Sequence, residues 1–147
     1  MSRAYPDRPM VGVGVILVRP GSVLLVRRGK PPGQGNWALP GGAQELGETV
    51  EATARRELRE ETALEVGALH FVGHFDSIHH DADGRVLYHY TILDFAAAWQ
   101  AGDPVPGDDV EVAGFFGDDS AEFQSLGSVA RDMIARARGI LGVSAAI

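Results

Sequence analysis

The chain contains no cysteine, which excludes both a disulfide framework and a thiolate metal site. That suits a reducing compartment, and a cytoplasmic protein is expected. No apolar run approaches the ~18–20 residues of a membrane span, and a start bearing arginine and proline is no signal peptide. Association with a membrane is not expected. Lysine is almost absent as well, Lys30 being the single one among 13 basic residues. Against 20 acids these leave a formal net charge of −7, which argues against general binding to nucleic acid backbones.

What is present fits one domain over residues 1–147, with residues 1–9 as a loose leader containing two prolines. Charge is unevenly spread. Residues 1–30 carry six basic residues against one acid, Asp7, whereas 86–130 hold eight acids and neither lysine nor arginine. An acidic protein still binds phosphates when divalent cations mediate the contact.

The apolar, valine-rich run Met10–Val18 reads as a buried strand, and Arg19-Pro20-Gly21-Ser22 as a turn into a second strand at Val23–Val26. Lys30 to Gly35 is a loop, Trp37–Leu39 a short segment, and Pro40-Gly41-Gly42 is expected to break any regular element. Thr49 is a suitable N-cap for a helix over Val50–Thr62, with Glu51 in its first turn. Strands follow at Val66–Phe75 and Val86–Ala97, joined through the turn Asp83-Gly84. A loop at Ala101–Asp109, a strand at Glu111–Phe116 and a final helix at Ala121–Arg138 complete the chain. Strands interrupted by two helices predict an α/β fold, a mixed sheet covered on both faces as an α/β/α sandwich.

The helix carries the chemistry. Glu57 lies three residues before Glu60 and four before Glu61, so all three project from one face. Like charges at those spacings repel by a few tenths of a kcal/mol per pair, which makes a cation a sensible partner. An acidic solvated face paired with Arg55, Arg56 and Arg59 is the bland alternative. Carboxylates without His or Cys favour Mg²⁺, with Mn²⁺ second, over zinc.

The surroundings decide between the two. Gly42, five residues, Glu48, seven residues, Arg56-Glu57-Leu58, one residue, Glu60-Glu61, two residues and Leu64 together resemble the Nudix box, G-x5-E-x7-R-E-U-x-E-E-x-G-U. One position departs from it, Ala63 standing where the family has Gly. In the family that glycine would end the helix in a left-handed conformation, which costs alanine roughly 1 kcal/mol or more. The resemblance implies the family's α/β/α sandwich and a pyrophosphohydrolase acting on a nucleotide. It further implies that Glu57, Glu60 and Glu61 bind metal with the Gly41 carbonyl, and that Glu48 orients Arg56 as an ion pair. Glu60 or Glu61 would act as the base, a role that in some relatives falls to the residue corresponding to Glu48.

Outside the box, Arg27 and Arg28 at the end of the second strand either clamp phosphates or form a solvated strand end, and Lys30 shares that ambiguity. Trp37 either stacks on a base or packs against the sheet. The five histidines show no spacing suited to zinc and are expected to face solvent. Many family members add a carboxylate after the box; Glu111 is the candidate here and Asp109 the next. Trp37-Ala38-Leu39-Pro40-Gly41-Gly42 resembles the ADP-ribose pyrophosphatase branch, although a proline that often marks it is missing between Pro40 and Pro104. An ADP-ribose-like substrate is therefore favoured, ahead of a nucleoside triphosphate pyrophosphatase and a non-catalytic nucleotide sensor. The family also makes a homodimer reasonable.

Overall fold

The computed structural model describes residues 3–31 and 33–147. Of the predicted leader, Met1 and Ser2 lie outside the described residues, as does Pro32 of the predicted Lys30–Gly35 loop. Strand β1 (Met10–Arg19) turns through Pro20 and Gly21 into β2 (Ser22–Arg28), and Arg19 pairs with Ser22. Gly21 has φ 82°, a conformation open to glycine at little cost. The short strands β3 (Trp37–Ala38) and β4 (Gly41–Ala43) precede helix α1 (Val50–Thr62). Then come β5 (His70–His80), β6 (Val86–Ala98), β7 (Val110–Phe116) and helices α2 (Ala121–Gln124) and α3 (Ser128–Leu141).

The seven strands form one mixed sheet in the order β3-β2-β1-β6-β5, with β4 paired to β1 and β7 to β2. Only β1 and β6 run parallel, from Met10 beside Tyr90 to Val18 beside Ala98. Alternation along β1 sends its side chains into two cores. Val13, Val15 and Leu17 pack with Ala54 and Leu58 of α1, whereas Ile16 and Val18 pack with Met133, Ile134 and Ala137 of α3. Helices therefore cover both faces of the sheet, as predicted from the element order. No helix among the described residues is long and apolar enough to cross a membrane.

Four predicted elements differ from the structure. Pro40-Gly41-Gly42 was expected to interrupt regular structure, yet Gly41–Ala43 pairs with Gly12–Gly14 of β1, because glycines allow the two backbones to approach. A Cβ on Gly41 would lie 2.1 Å from the Val13 carbonyl oxygen. The third long strand begins at His70 rather than Val66, since the Val66 and Gly67 carbonyls accept hydrogen bonds from the Arg55 guanidinium. It also runs on to His80, where the Asp81 side chain accepts from the Asp83 and Arg85 N–H groups and closes the hairpin. The last helix is broken at Ser125–Gly127, where the Arg131 side chain donates to the Leu126 and Gln124 carbonyls. Nor is residue 5 of the leader loose: the Tyr5 hydroxyl donates to Asp81 and its N–H to the Leu87 carbonyl.

Helix α1 is closed at both ends. The Thr49 side chain accepts from the Ala52 N–H at 3.1 Å. At the other end Ala63 adopts φ 60°, ψ 16°, and its N–H donates to the Arg59 carbonyl. This is the left-handed cap that the family's glycine predicts, held here by a residue with a Cβ. Ala63→Gly is expected to stabilise the protein by about 1 kcal/mol, read as a higher urea midpoint at unchanged slope.

Candidate functional site

The glutamate-bearing face of α1 meets β4. Glu57 and Glu61 are buried, each 8% exposed, and Glu60 is exposed. Buried carboxylates need partners, and two glycines let them find some. The Gly41 N–H donates to Glu61 Oε1 at 2.7 Å. Gly42 leaves room for the Glu57 carboxylate, which would come within 2.3 Å of a Cβ at that position. Arg56 supplies the balancing charge. Its Nη1 donates to Glu57 Oε1 at 2.8 Å and to Glu60 Oε2 at 3.2 Å, and its Nη2 to the Ala43 carbonyl. Arg55 plays no part in this, being spent on the loop carbonyls described above.

The predicted Glu48–Arg56 pair is present and bidentate, with Nε to Oε2 at 2.6 Å and Nη2 to Oε1 at 2.9 Å. The Thr53 hydroxyl and the Glu45 N–H add donors to Glu48 Oε1. These donors separate the ionisation of the glutamates. The Arg56 bonds, and after them the Glu45 N–H, hold the Glu48 carboxyl down at about 2. Burial pushes Glu61 up to about 7 and outweighs the Gly41 hydrogen bond. Burial also raises Glu57, against the opposing pull of Arg56.

One set of acidic or imidazole side chains converges among the described residues. Glu57, Glu60 and Asp108 each offer an oxygen, and the three atoms lie within 4.8 Å of one another. A loop provides Asp108. The N–H groups of Val105 and Gly107 donate to the Thr62 and Glu61 carbonyls, capping the C-terminal end of α1, and Asp108 follows at φ 54°. Sequence reasoning ranked Glu111 and Asp109 as the extra carboxylate. The structure turns both towards the cations of the β2 end instead: Glu111 pairs with Arg27 at 3.0 Å and Asp109 with Lys30 at 2.8 Å. Glu111 falls at a register shift between β2 and β7, which skips it in the pairing. No spacing rule in the sequence signals which of these neighbouring acids faces the helix.

On the α3 side of the sheet a cleft of about 580 Å³ is lined by Gly12, Gly14, Arg28, Trp37, Tyr90 and Asp94, among others. Gly41 and Gly42 line it too, so the same two residues border the cleft and touch the buried glutamates. Arg28 lines the cleft; Arg27 pairs with Glu111 and lies 5.8 Å from the Trp37 ring. Trp37 also packs edge-to-face on Phe116, with centroids 4.9 Å apart, so packing and a place in the cleft coexist in one residue. Four histidines are exposed and His89 is half-buried. Sequence reasoning overlooked Asp94, whose one signal was an acid inside the apolar run Ile92–Ala97.

The NUDIX domain profile matches residues 8–137. The chain belongs to the NUDIX family. Among curated relatives it is 38% identical over 108 residues to an ADP-ribose pyrophosphatase of Methanocaldococcus jannaschii, a match covering 74% of this chain and 62% of that protein. It is 48% identical over 59 residues to an oxidized purine nucleoside triphosphate hydrolase of Danio rerio, covering 40% of this chain and 38% of that protein. The chain thus spans less than two thirds of the length of both. Among solved structures, a MutT NUDIX hydrolase from Burkholderia pseudomallei superposes with TM-score 0.74 at 30% identity, over 88% of this chain and 98% of that one. NUDIX membership accounts for the sandwich of helices about a mixed sheet.

The Glu48–Arg56 pair has a pH signature. Because the folded carboxyl titrates near 2, below its ordinary 4.5, the unfolded chain takes up the proton first as the medium is acidified. Stability from the pair is therefore complete above 4.5 and is lost as pH falls towards 2. Glu48→Gln should be less stable than the parent in urea at about pH 6, with the gap closing towards about pH 2. A gap independent of pH would assign the loss to something other than ionisation.

Proposed function

We propose that this NUDIX protein is a divalent-cation-dependent pyrophosphohydrolase. It cleaves the phosphoanhydride bond of a nucleoside diphosphate joined to a second moiety, an ADP-ribose-like compound. The observation that carries this reading is the convergence of Glu57, Glu60 and Asp108 oxygens within 4.8 Å, beside glycines that also line a nucleotide-sized cleft. Like charges assembled so closely need a cation, and an all-oxygen donor set with two exposed members fits Mg²⁺ or Mn²⁺. A cation held there would supply neutralisation of phosphate charge and activation of water as a nucleophile.

The chain's own residues do the rest. Glu57, Glu60 and Asp108 would hold the cation, with Glu61 and the Gly41 carbonyl beside them. Glu61, fixed by the Gly41 N–H, accepts the proton of the attacking water. Glu48 stays ionised and tied to Arg56, so its part is to position that guanidinium against Glu57 and Glu60 rather than to move a proton. Arg28, at the cleft wall, meets the phosphates. Arg27 contributes indirectly by holding Glu111 and backing Trp37.

The archaeal relative, matched over 74% of this chain, supports the ADP-ribose-like substrate. The vertebrate relative supports a second reading, hydrolysis of a nucleoside triphosphate to monophosphate and pyrophosphate, through a match over 40% of the chain. A product-resolved screen with Mg²⁺ separates them: AMP plus ribose 5-phosphate is expected from ADP-ribose, and nucleoside monophosphate plus pyrophosphate marks the alternative.

Glu57→Gln, Glu60→Gln and Asp108→Asn should each lower kcat by orders of magnitude while retaining the parent's circular dichroism. Mg²⁺ should raise the Tm of the parent and do so less in the three variants, because binding to the folded state alone stabilises it. Near-parental turnover in all three would sink the assignment.

A further inference from the structure

One buried carboxyl group takes no part in the hydrolysis outlined above. Asp94 is 2% exposed, and its Oδ2 has no hydrogen-bond partner among the described residues. Burying an acceptor without a donor is unfavourable, and an apolar side chain of similar size would suit a sheet interior better. Burial accordingly pushes this carboxyl up to about 6. An orphaned group of this kind calls for a partner from outside the chain.

The neighbouring residues describe that partner. Asp94 stands beside Gly14 in the parallel pairing of β6 with β1, and Gly12 lies next along the same face. A Cβ on Gly14 would come within 2.2 Å of Asp94 Oδ1, and one on Gly12 within 3.3 Å of Ile92. Glycine at 14 thus makes room for the carboxyl itself, which together with Gly12 and Gly14 borders the cleft. Trp37 and Tyr90 add aromatic surface to the same cleft. Such a space admits a flat ring with one edge turned to Asp94. Above about pH 6, where this carboxyl is ionised, it only accepts hydrogen bonds, so that edge must donate an N–H.

We propose that Asp94 is a specificity-determining residue, accepting a hydrogen bond from the exocyclic amino group of an adenine held in the cleft between Trp37 and Tyr90. The terminal torsion of aspartate is broad and two-fold, so either oxygen can be offered to the ring. Adenine is the choice because the inference rests on the ADP-ribose-like reading of the site. Its test is independent of turnover.

Calorimetry of AMP and IMP binding to the parent protein, without added metal, compares an amino group with a keto oxygen at the same ring position. The parent should bind AMP about tenfold or more tightly. In Asp94→Val that preference should fall to near unity while Tm stays the same or rises, since the variant removes an unpaired buried charge. Asp94→Asn, of equal size, should strengthen IMP binding because its amide offers the keto oxygen a donor; it carries the test alone if the valine variant fails to fold. Equal or absent binding of the two nucleotides by the parent overturns the proposal, as does a lower Tm in the variants with the AMP preference intact. Failure of the hydrolase reading looks different: no turnover of ADP-ribose, with the AMP preference unaffected.

Discussion

Two carboxylates of one helix turn, Glu57 and Glu61, are held away from water, and the rest of the functional region is arranged around that unfavourable fact. Three elements share the task of making it tolerable. Strand β4 brings the Gly41 N–H to Glu61 and, through the missing Cβ of Gly42, clears the space for Glu57. Arg56 lies across Glu48, Glu57 and Glu60 as a shared counter-ion. What remains uncompensated is negative, oxygen-rich and turned towards Asp108, the surroundings in which a hard cation replaces a costly repulsion with a favourable contact.

The sheet explains how this helix comes to lie next to a cleft on the opposite face. β1 is buried on both sides and pairs with β2 only near the turn, at Val18 and Arg19. Its other end pairs with β4 at Gly12 to Gly14, while β6 runs alongside in parallel. β4 is thus the seam between the α1 face and the α3 face. A ligand lying against β4 from the α3 side is separated from the glutamates by little more than two glycines, since neither carries a side chain that would thicken the seam.

Local signals made much of this legible in the sequence. Thr49 ahead of an amphipathic run fixed the start of α1 through a side-chain cap, and the 3.6-residue period placed Glu57, Glu60 and Glu61 together before any fold was considered. The left-handed helix end was expected of the family's glycine, and loss of a good cap was expected with alanine there; Ala63 instead keeps the cap. Features that depend on contacts between distant segments were not. Gly41–Ala43 is a strand only because β1 is there to pair with it. Asp108, Asp109 and Glu111 look alike in sequence, and their separation into a helix-facing acid and two partners for Lys30 and Arg27 follows from how the loop docks. Asp94 was hidden because strand periodicity treats every inward position as apolar and has no means of marking an acid that belongs there.

The docking of that loop ties two kinds of order together. The N–H groups that close the α1 carbonyls belong to Val105 and Gly107, and the very next residue is Asp108. Opening the loop would therefore expose the helix end and dismantle the acidic cluster together. By linkage, a cation bound across Glu57, Glu60 and Asp108 would draw on the same free energy. It would slow amide exchange at Val105 and Gly107, at a distance from any atom it touches, so the last turn of the helix doubles as a gauge of whether the site is filled.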